Sequence, residues 1–230
     1  MGKLKAQLHC HTGQDPLDNI GYSEKQVIDR AARLGYDVLA ISCHNVVIFN
    51  DDLMEYAEKK RILLIPAIEK TIERKHVLIL NADVSAQQIN TFEDLKKYRN
   101  QNPDCLVVAV HPFYPSTNSL MNKFEKNKEL FDAVEYSWFH SKKINRFNKK
   151  AVKTAEKFNL PVIATGDTHL LRYLDSSFSM LEAEKNTPSI FDAIRKKKIK
   201  IVSHDLKLRE MVSAYLEMEI RRLIKIMMPK

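Results

Sequence analysis

Short apolar runs alternate with amphipathic stretches along almost the whole chain. Residues 4–8 form a first β-type run. Ser23 then reads as the N-cap of a helix that places Val27, Ile28, Ala31 and Leu34 on one face, with Gly35 as its stop signal. The pattern predicts further strands over 37–42, 62–68, 76–80, 105–110, 133–137, 161–165 and 200–203. Between them it predicts helices over 51–60, 91–101, 120–130, 144–158 and 188–197, and a polar stretch over 70–75 separates the third strand from the fourth. The 105–110 run is continuously apolar, as expected of a strand buried on both faces. Strand and helix in this rhythm imply parallel strands covered by helices, an α/β architecture.

The last stretch, 206–228, predicts a long helix packed on the body of the molecule. Its apolar positions are Leu208, Met211, Val212, Tyr215, Leu216, Leu223, Ile224 and Met227. Arg221, Arg222 and Lys225 keep a dimer contact or a basic membrane-surface helix as lesser readings.

Composition narrows this picture. A chain of 230 residues, 44% hydrophobic, can bury one substantial core, and α/β barrels of this size form one domain, so a single domain over 1–230 is expected. No biased tract marks a flexible linker, and there is no internal repeat. The start Met1-Gly2-Lys3-Leu4-Lys5 lacks a signal peptide's apolar stretch, and no apolar run approaches the ~20 residues of a membrane span. Cys10, Cys43 and Cys105 form no CxxC pair and suggest no disulfide framework. The expectation is a soluble, cytoplasmic protein of unknown oligomeric state. The net charge of +8 is explained by solvated helix ends such as 59–61 and 196–198. It is also compatible with a field that attracts phosphate esters or nucleic acid.

Candidate chemistry concentrates in two stretches of similar shape, Gln7-Leu8-His9-Cys10-His11-Thr12 and Thr165-Gly166-Asp167-Thr168-His169. Each sets two metal-competent side chains two residues apart at the end of an apolar run, where an extended chain points both to one side. Imidazole and carboxylate suit borderline and hard divalent ions. His44, Glu69, His111 and His140 follow other predicted strands. Six of the eight histidines thus sit just past a strand's C-terminal end, the rim on which barrels of parallel strands build active sites. A lone histidine is more often structural; six on one rim point to a site. His76 starts a strand and would enter from elsewhere, and His204 is assigned to the start of the last helix.

With these motifs on the page, the chain resembles the PHP (polymerase and histidinol phosphatase) domain family of metal-dependent phosphoesterases. The motifs stand as His9-Cys10-His11-Thr12, Ile41-Ser42-Cys43-His44-Asn45, Ile65-Pro66-Ala67-Ile68-Glu69, Lys75-His76-Val77-Leu78, Val110-His111-Pro112 and Gly166-Asp167-Thr168-His169. The resemblance implies a distorted seven-stranded α/β barrel with two or three divalent metals at the strand ends. It implies that His9, His11, Glu69 and Asp167 hold one metal, that Glu69, His76 and His111 hold a second, and that His44, His169 and an aspartate hold a third. Asp15 suits the distance after His11 and is preferred; Asp18 suits the distance back from the helix at Ser23. Gln7, Ala67 and Cys43 stand where the family commonly has Asp, Gly and Asp, departures that bear on the groups orienting the ligands. Strand alternation turns Cys10 and Cys43 away from the ligands beside them.

The function implied is hydrolysis of a phosphate monoester or diester of a small molecule or nucleotide. Two ions sharing a carboxylate would hold the attacking water as a bridging hydroxide. His140 is the candidate acid for the leaving group, and Arg146, Arg172, Lys142 and Lys143 are candidate phosphate clamps. Zinc, manganese and iron all suit the ligands. A small phosphorylated substrate is favoured over nucleic acid, because a barrel uses most of the chain. The alternatives are an amidohydrolase-like hydrolase of C–N or carboxylic ester bonds using the same metals, and a catalytically silent metal-binding module.

Overall fold

Strand β1, Gly2–Cys10, is the element on which the molecule is hung. In the computed structural model, which describes residues 2–227, it pairs in parallel with β2 (Val38–Ile41) and antiparallel with β8 (Ser177–Ala183). Met1 and Met228, the ends of two stretches discussed above, lie outside the described residues. The other strands are β3 (Leu63–Ile72), β4 (Lys75–Leu80), β5 (Leu106–Ala109), β6 (Ala133–Ser137), β7 (Val162–Thr165) and β9 (Ile199–Ser203). They form one nine-stranded sheet in the order β7-β6-β5-β4-β3-β2-β1-β8-β9.

The sheet curls until its first and seventh strands meet. His11 N donates to Thr168 O at 3.1 Å and Thr168 N to His9 O at 3.2 Å, joining the end of β1 to the segment after β7. Lower down, the Ser179 hydroxyl on β8 accepts from Ala164 N and donates to Ala164 O, each at 3.0 Å, and so links β8 to β7. The result is a nearly closed barrel-like sheet. It has nine strands where seven are expected from the resemblance, because β8 and β9 extend it beyond β1.

The strands are also not all parallel. β3 continues through the stretch expected to be a polar connection, turns at Glu73 and Arg74, both at positive φ, and returns as β4. β4 and β5 are antiparallel as well, as are β8 and β9. Parallel pairing holds for β1-β2-β3 and β5-β6-β7.

The helices follow the caps in the sequence. Ser23 and Gln26 form a capping box on α1 (Glu24–Arg33), Asn50 caps α2 (Asp51–Lys59), and Thr91 with Asp94 boxes α3 (Phe92–Gln101). The stretch 120–130 is not one helix: α4 (Asn122–Lys126) stops and a single tight turn follows. Then come α5 (Arg146–Lys157), α6 (Thr187–Arg195, capped by Asn186) and α7 (Leu208–Met227). Leu4, Ala6 and Leu8 pack with Ile65, Leu78, Val108 and Ile163 and with Ile190, Phe191 and Ile194 of α6. α1 and α2 cover β1 to β3 from one outer side, and α3 and α5 cover β3 to β6 from another. Among the described residues no helix is long and apolar enough to cross a membrane.

α7 is held at its start. Met211 and Ala214 are buried with Trp138, Leu170 and Leu206, and Arg172 pairs with Glu217. Its outward positions Val212, Leu216, Ile220 and Leu223 remain exposed.

Candidate metal centre

All ten of the histidines and carboxylates named as candidate ligands lie together at one end of the barrel. β1 carries one residue more than β2 between Gln7 and Cys10, a bulge of the kind that re-aims side chains beside a site. His9 and His11 lie beyond or within it. His9 Nε2 and His11 Nε2 stand 3.2 Å apart. Glu69 Oε2 is 3.4 Å from the first and 3.3 Å from the second, and Asp167 Oδ1 is 3.4 Å and 3.3 Å from them. A tetrahedral ion with bonds of 2.0–2.2 Å places its donors about 3.3–3.6 Å apart. These five separations, 3.2–3.4 Å, lie close to the edges of such a shell.

Glu69 divides the cluster. Its Oε2 faces His9, His11 and His44 Nε2, the last at 3.0 Å. Its Oε1 faces His76 Nδ1 at 2.9 Å and His111 Nε2 at 3.1 Å. This carboxylate is 1% exposed and placed to be shared between two ions. A third grouping lies towards the opening. There Asp18 Oδ2 is 3.1 Å from His169 Nε2 and 3.3 Å from His44 Nδ1, and the His169 ring stacks on His11 at 4.1 Å. His76 does enter from the start of its strand, because β4 runs opposite to β3 and brings residue 76 back to the rim.

Two buried carboxylates orient these imidazoles. Asp15 Oδ2 accepts from His11 Nδ1 (2.8 Å), His44 Nδ1 (2.9 Å) and His44 N (2.8 Å), while its Oδ1 accepts from Leu17 N and Asp18 N. With both oxygens so engaged, Asp15 fixes two rings with Nε2 turned to the cluster. Asp18 lines the cavity, and Asp15, Asp18 and His44 together form a group whose atoms lie close enough to hold an ion. Glu135 on β6 accepts from His9 Nδ1 at 2.9 Å, from the Thr165 hydroxyl, and from His111 N at 2.6 Å. Sequence reading missed it; a lone Glu in an apolar strand, Ala-Val-Glu-Tyr-Ser, was the available signal.

Gln7 touches no ligand ring. Its amide donates to Leu174 O and Ser177 O, both at 2.9 Å, and its carbonyl accepts from Gly166 N at 2.7 Å. A Cβ on Gly166 would lie 2.6 Å from the Gln7 amide nitrogen, so the loop carrying Asp167 needs glycine there. Asp167 (φ 37°) and His111 (φ 29°) both hold the sparsely populated left-handed region, a local cost of about 1–3 kcal/mol each. Among the described residues, neither Cys10 nor Cys43 belongs to a group able to hold an ion.

Burial and mutual charge shift these groups in opposite senses. Burial works against a charged His9, but Asp167 and Glu69 beside it and its bond to Glu135 prevail and push it up to about 10. His44, buried too, is raised to about 9 by Glu69 and Asp15 against the opposing charge of His11. Burial penalises ionised Glu69, Asp15 and Asp167, yet the surrounding imidazoles hold all three well below the usual carboxylate range. Burial dominates at His76, which is lowered. Asp167 Oδ1 is buried without a hydrogen-bond partner, an orphan acceptor that an ion would satisfy. These residues fit a divalent metal cluster.

The remaining candidates lie apart. His140 Nε2 is 2.7 Å from Ser203 Oγ, and its Nδ1 is 3.2 Å from Asp205, at the junction of β9 and α7. It belongs to none of the ligand groupings. Arg146 lies over Phe147, Arg172 pairs with Glu217, and none of Arg146, Arg172, Lys142 and Lys143 lines the cavity above the cluster. The cation that does is Arg222 of α7, which sequence reading assigned only to a helix face. The cavity measures about 400 Å³.

Comparison with known proteins bears on the fold. A PHP-associated family model matches residues 145–199. The fold is similar to a two-domain protein containing a predicted PHP-like metal-dependent phosphoesterase from Bacteroides vulgatus. The TM-score is 0.71 at 18% identity, over 94% of this chain and 70% of that one. PsfC from Pseudomonas syringae matches with a TM-score of 0.64 at 15% identity, over 97% and 99% of the two chains. The lesion-specific endonuclease PfuEndoQ from Pyrococcus furiosus matches at 0.60 and 15%, over 93% of this chain and 66% of that one. No curated protein matches the sequence.

Proposed function

We infer that this chain, with its PHP-like fold and PHP-associated segment, is a metal-dependent hydrolase that cleaves a phosphate monoester or diester of a small molecule or nucleotide. The observation that carries the reading is Glu69, whose two oxygens face two separate groups of imidazoles. His9, His11, Glu69 and Asp167 would hold one ion, and Glu69, His76 and His111 a second. His44, His169 and Asp18 would hold a third. Divalent ions at these positions supply an activated water at neutral pH and offset charge on the phosphoryl oxygens.

The chain's own groups do the rest. Asp15 and Glu135 keep His9, His11 and His44 in the tautomer with Nε2 towards the cluster. Gln7 and Gly166 hold the Asp167 loop against β1. Arg222 is the cation that lines the cavity and could meet an anionic substrate, and α7 roofs part of that cavity. His140, bonded to Ser203 at the root of α7, positions that roof and has no place beside the cluster.

The test is a panel of phosphate monoesters, diesters and carboxamides offered to protein loaded with manganese, zinc or iron. Turnover of phosphate esters, abolished by chelation and by Glu69→Gln, is expected. Turnover of amides alone would transfer the site to C–N bond hydrolysis. Bound metal with no turnover of any ester would leave a silent module.

A further inference from the structure

We propose, resting on the phosphoesterase reading, that the cavity selects a small phosphate ester whose leaving group carries a flat aromatic ring. The ligand cluster forms the floor. Above it Tyr114, Trp138, Phe139, Phe147 and Tyr215 surround the space, and Met211 and Met218 of α7 complete it. The wall is braced from behind. Tyr114 hydroxyl donates to Phe139 O at 2.9 Å, the Tyr114 and Phe147 rings lie 5.1 Å apart, and Trp138 packs on Tyr173 at 4.8 Å. Tyr215 nonetheless remains 53% exposed at the cavity's edge. Aromatic rings fixed around a concave polar floor offer stacking to a flat ring, worth about 1–3 kcal/mol per ring. Methionine thioethers add favourable sulfur contacts to the same ring.

The charge pattern limits the size of the anion. Among the described residues Arg222 is the Lys or Arg side chain lining the cavity, and it already lies 3.7 Å from Glu219, which lines it too. A polynucleotide backbone needs a row of cations along a groove, each displacing counterions. One shared arginine beneath a helical roof suits one phosphate on a small molecule. Away from the cluster, the Arg222–Glu219 pair and the aromatic rings, the polar side chains at the cavity are Ser116, Asn118 and Ser137, few for a polyhydroxylated leaving group.

Phosphonates separate this proposal from the reading beneath it, because their P–C bond is not hydrolysed. Zinc-loaded protein is titrated calorimetrically with phenylphosphonate and with methylphosphonate, and emission from Trp138, the chain's one tryptophan, reports where the ring settles. The expected result is at least tenfold tighter binding of phenylphosphonate, with a change in Trp138 emission. Phe147→Ala and Tyr215→Ala, on two different helices, should each bring the affinity ratio several-fold closer to one. Equal affinities for the two phosphonates, or a ratio unmoved in both variants, overturn aromatic selection while leaving phosphate chemistry standing. Binding of neither phosphonate, together with no turnover of any ester, overturns the phosphoesterase reading and this proposal with it.

Discussion

Asp15 and Asp18 stand three positions apart in one turn, and counting along the chain cannot separate them. Hydrogen bonding gives them different work in the reading proposed above, because Asp15 already accepts from five donors, whereas Asp18 meets His169 and His44. Asp15→Asn replaces an acceptor oxygen by an N–H donor facing other donors. It should lower the metal-free melting temperature, a loss of about 1–3 kcal/mol, and weaken metal binding. Asp18→Asn should leave the melting temperature nearly unchanged and lower the bound metal count, read by elemental analysis. The opposite pattern would make Asp15 the ligand. Glu135 acts on His9 and His111 together, so Glu135→Gln should weaken metal affinity by about 10–100-fold with the far-UV spectrum unchanged.

At the scale of elements, what was legible followed local rules. Ser23 and Thr91 announce helices through side chains that bond their own backbone, and histidines after apolar runs announce a rim because strand ends share one side of a barrel. β8 was not legible. Its Ser177 and Ser179 are buried polar residues, and Ser179 is buried to seal β7, a partner fifteen residues away that no local pattern reveals. The β3-β4 hairpin was hidden for a related reason. Lys70 reads as solvent-facing, yet it is buried and its ammonium donates to Gln87 O, so the strand continues through it. Glu135 was hidden because the donors it meets come from β1, β7 and the residue after β5. α7 was legible as a helix but not as a roof, since its inner and outer faces are both apolar. Its hold on the barrel is short, centred on Met211 and Ala214. Met211→Asp should therefore free α7 without unfolding the barrel, seen as faster amide exchange confined to residues 206–227. Uniform acceleration across the sheet would show that α7 is part of the core.

The whole molecule gathers six imidazoles and five carboxylates in a nest whose charges can balance in one of two ways, with protons or with metal ions. In the metal-free state His9, at about 10, and His44, at about 9, are charged at neutral pH. Their pKa values lie above the unfolded value near 6.5, so the stability they contribute is full below about pH 6.5 and is lost as pH rises through 9 and 10. The carboxylates act in the other direction. Glu69 and Asp167 are depressed, so their contribution is present above about pH 4.5 and is lost as pH falls towards their folded values. Metal-free protein should thus melt highest between about pH 4.5 and 6.5 and lose stability progressively above that. Loading the site exchanges imidazole protons for cations. Metal addition at pH 7 should release protons, detectable by calorimetry in buffers of different ionisation enthalpy, and affinity should climb with pH until His9 and His44 are neutral. Metal bound to the native state alone also raises the melting temperature by mass action and flattens its alkaline decline, because the ions then replace the lost imidazolium charges. Metal uptake without proton release, or an alkaline decline equally steep in loaded and metal-free protein, would mean that the nest is balanced by protons alone and that the ions bind elsewhere.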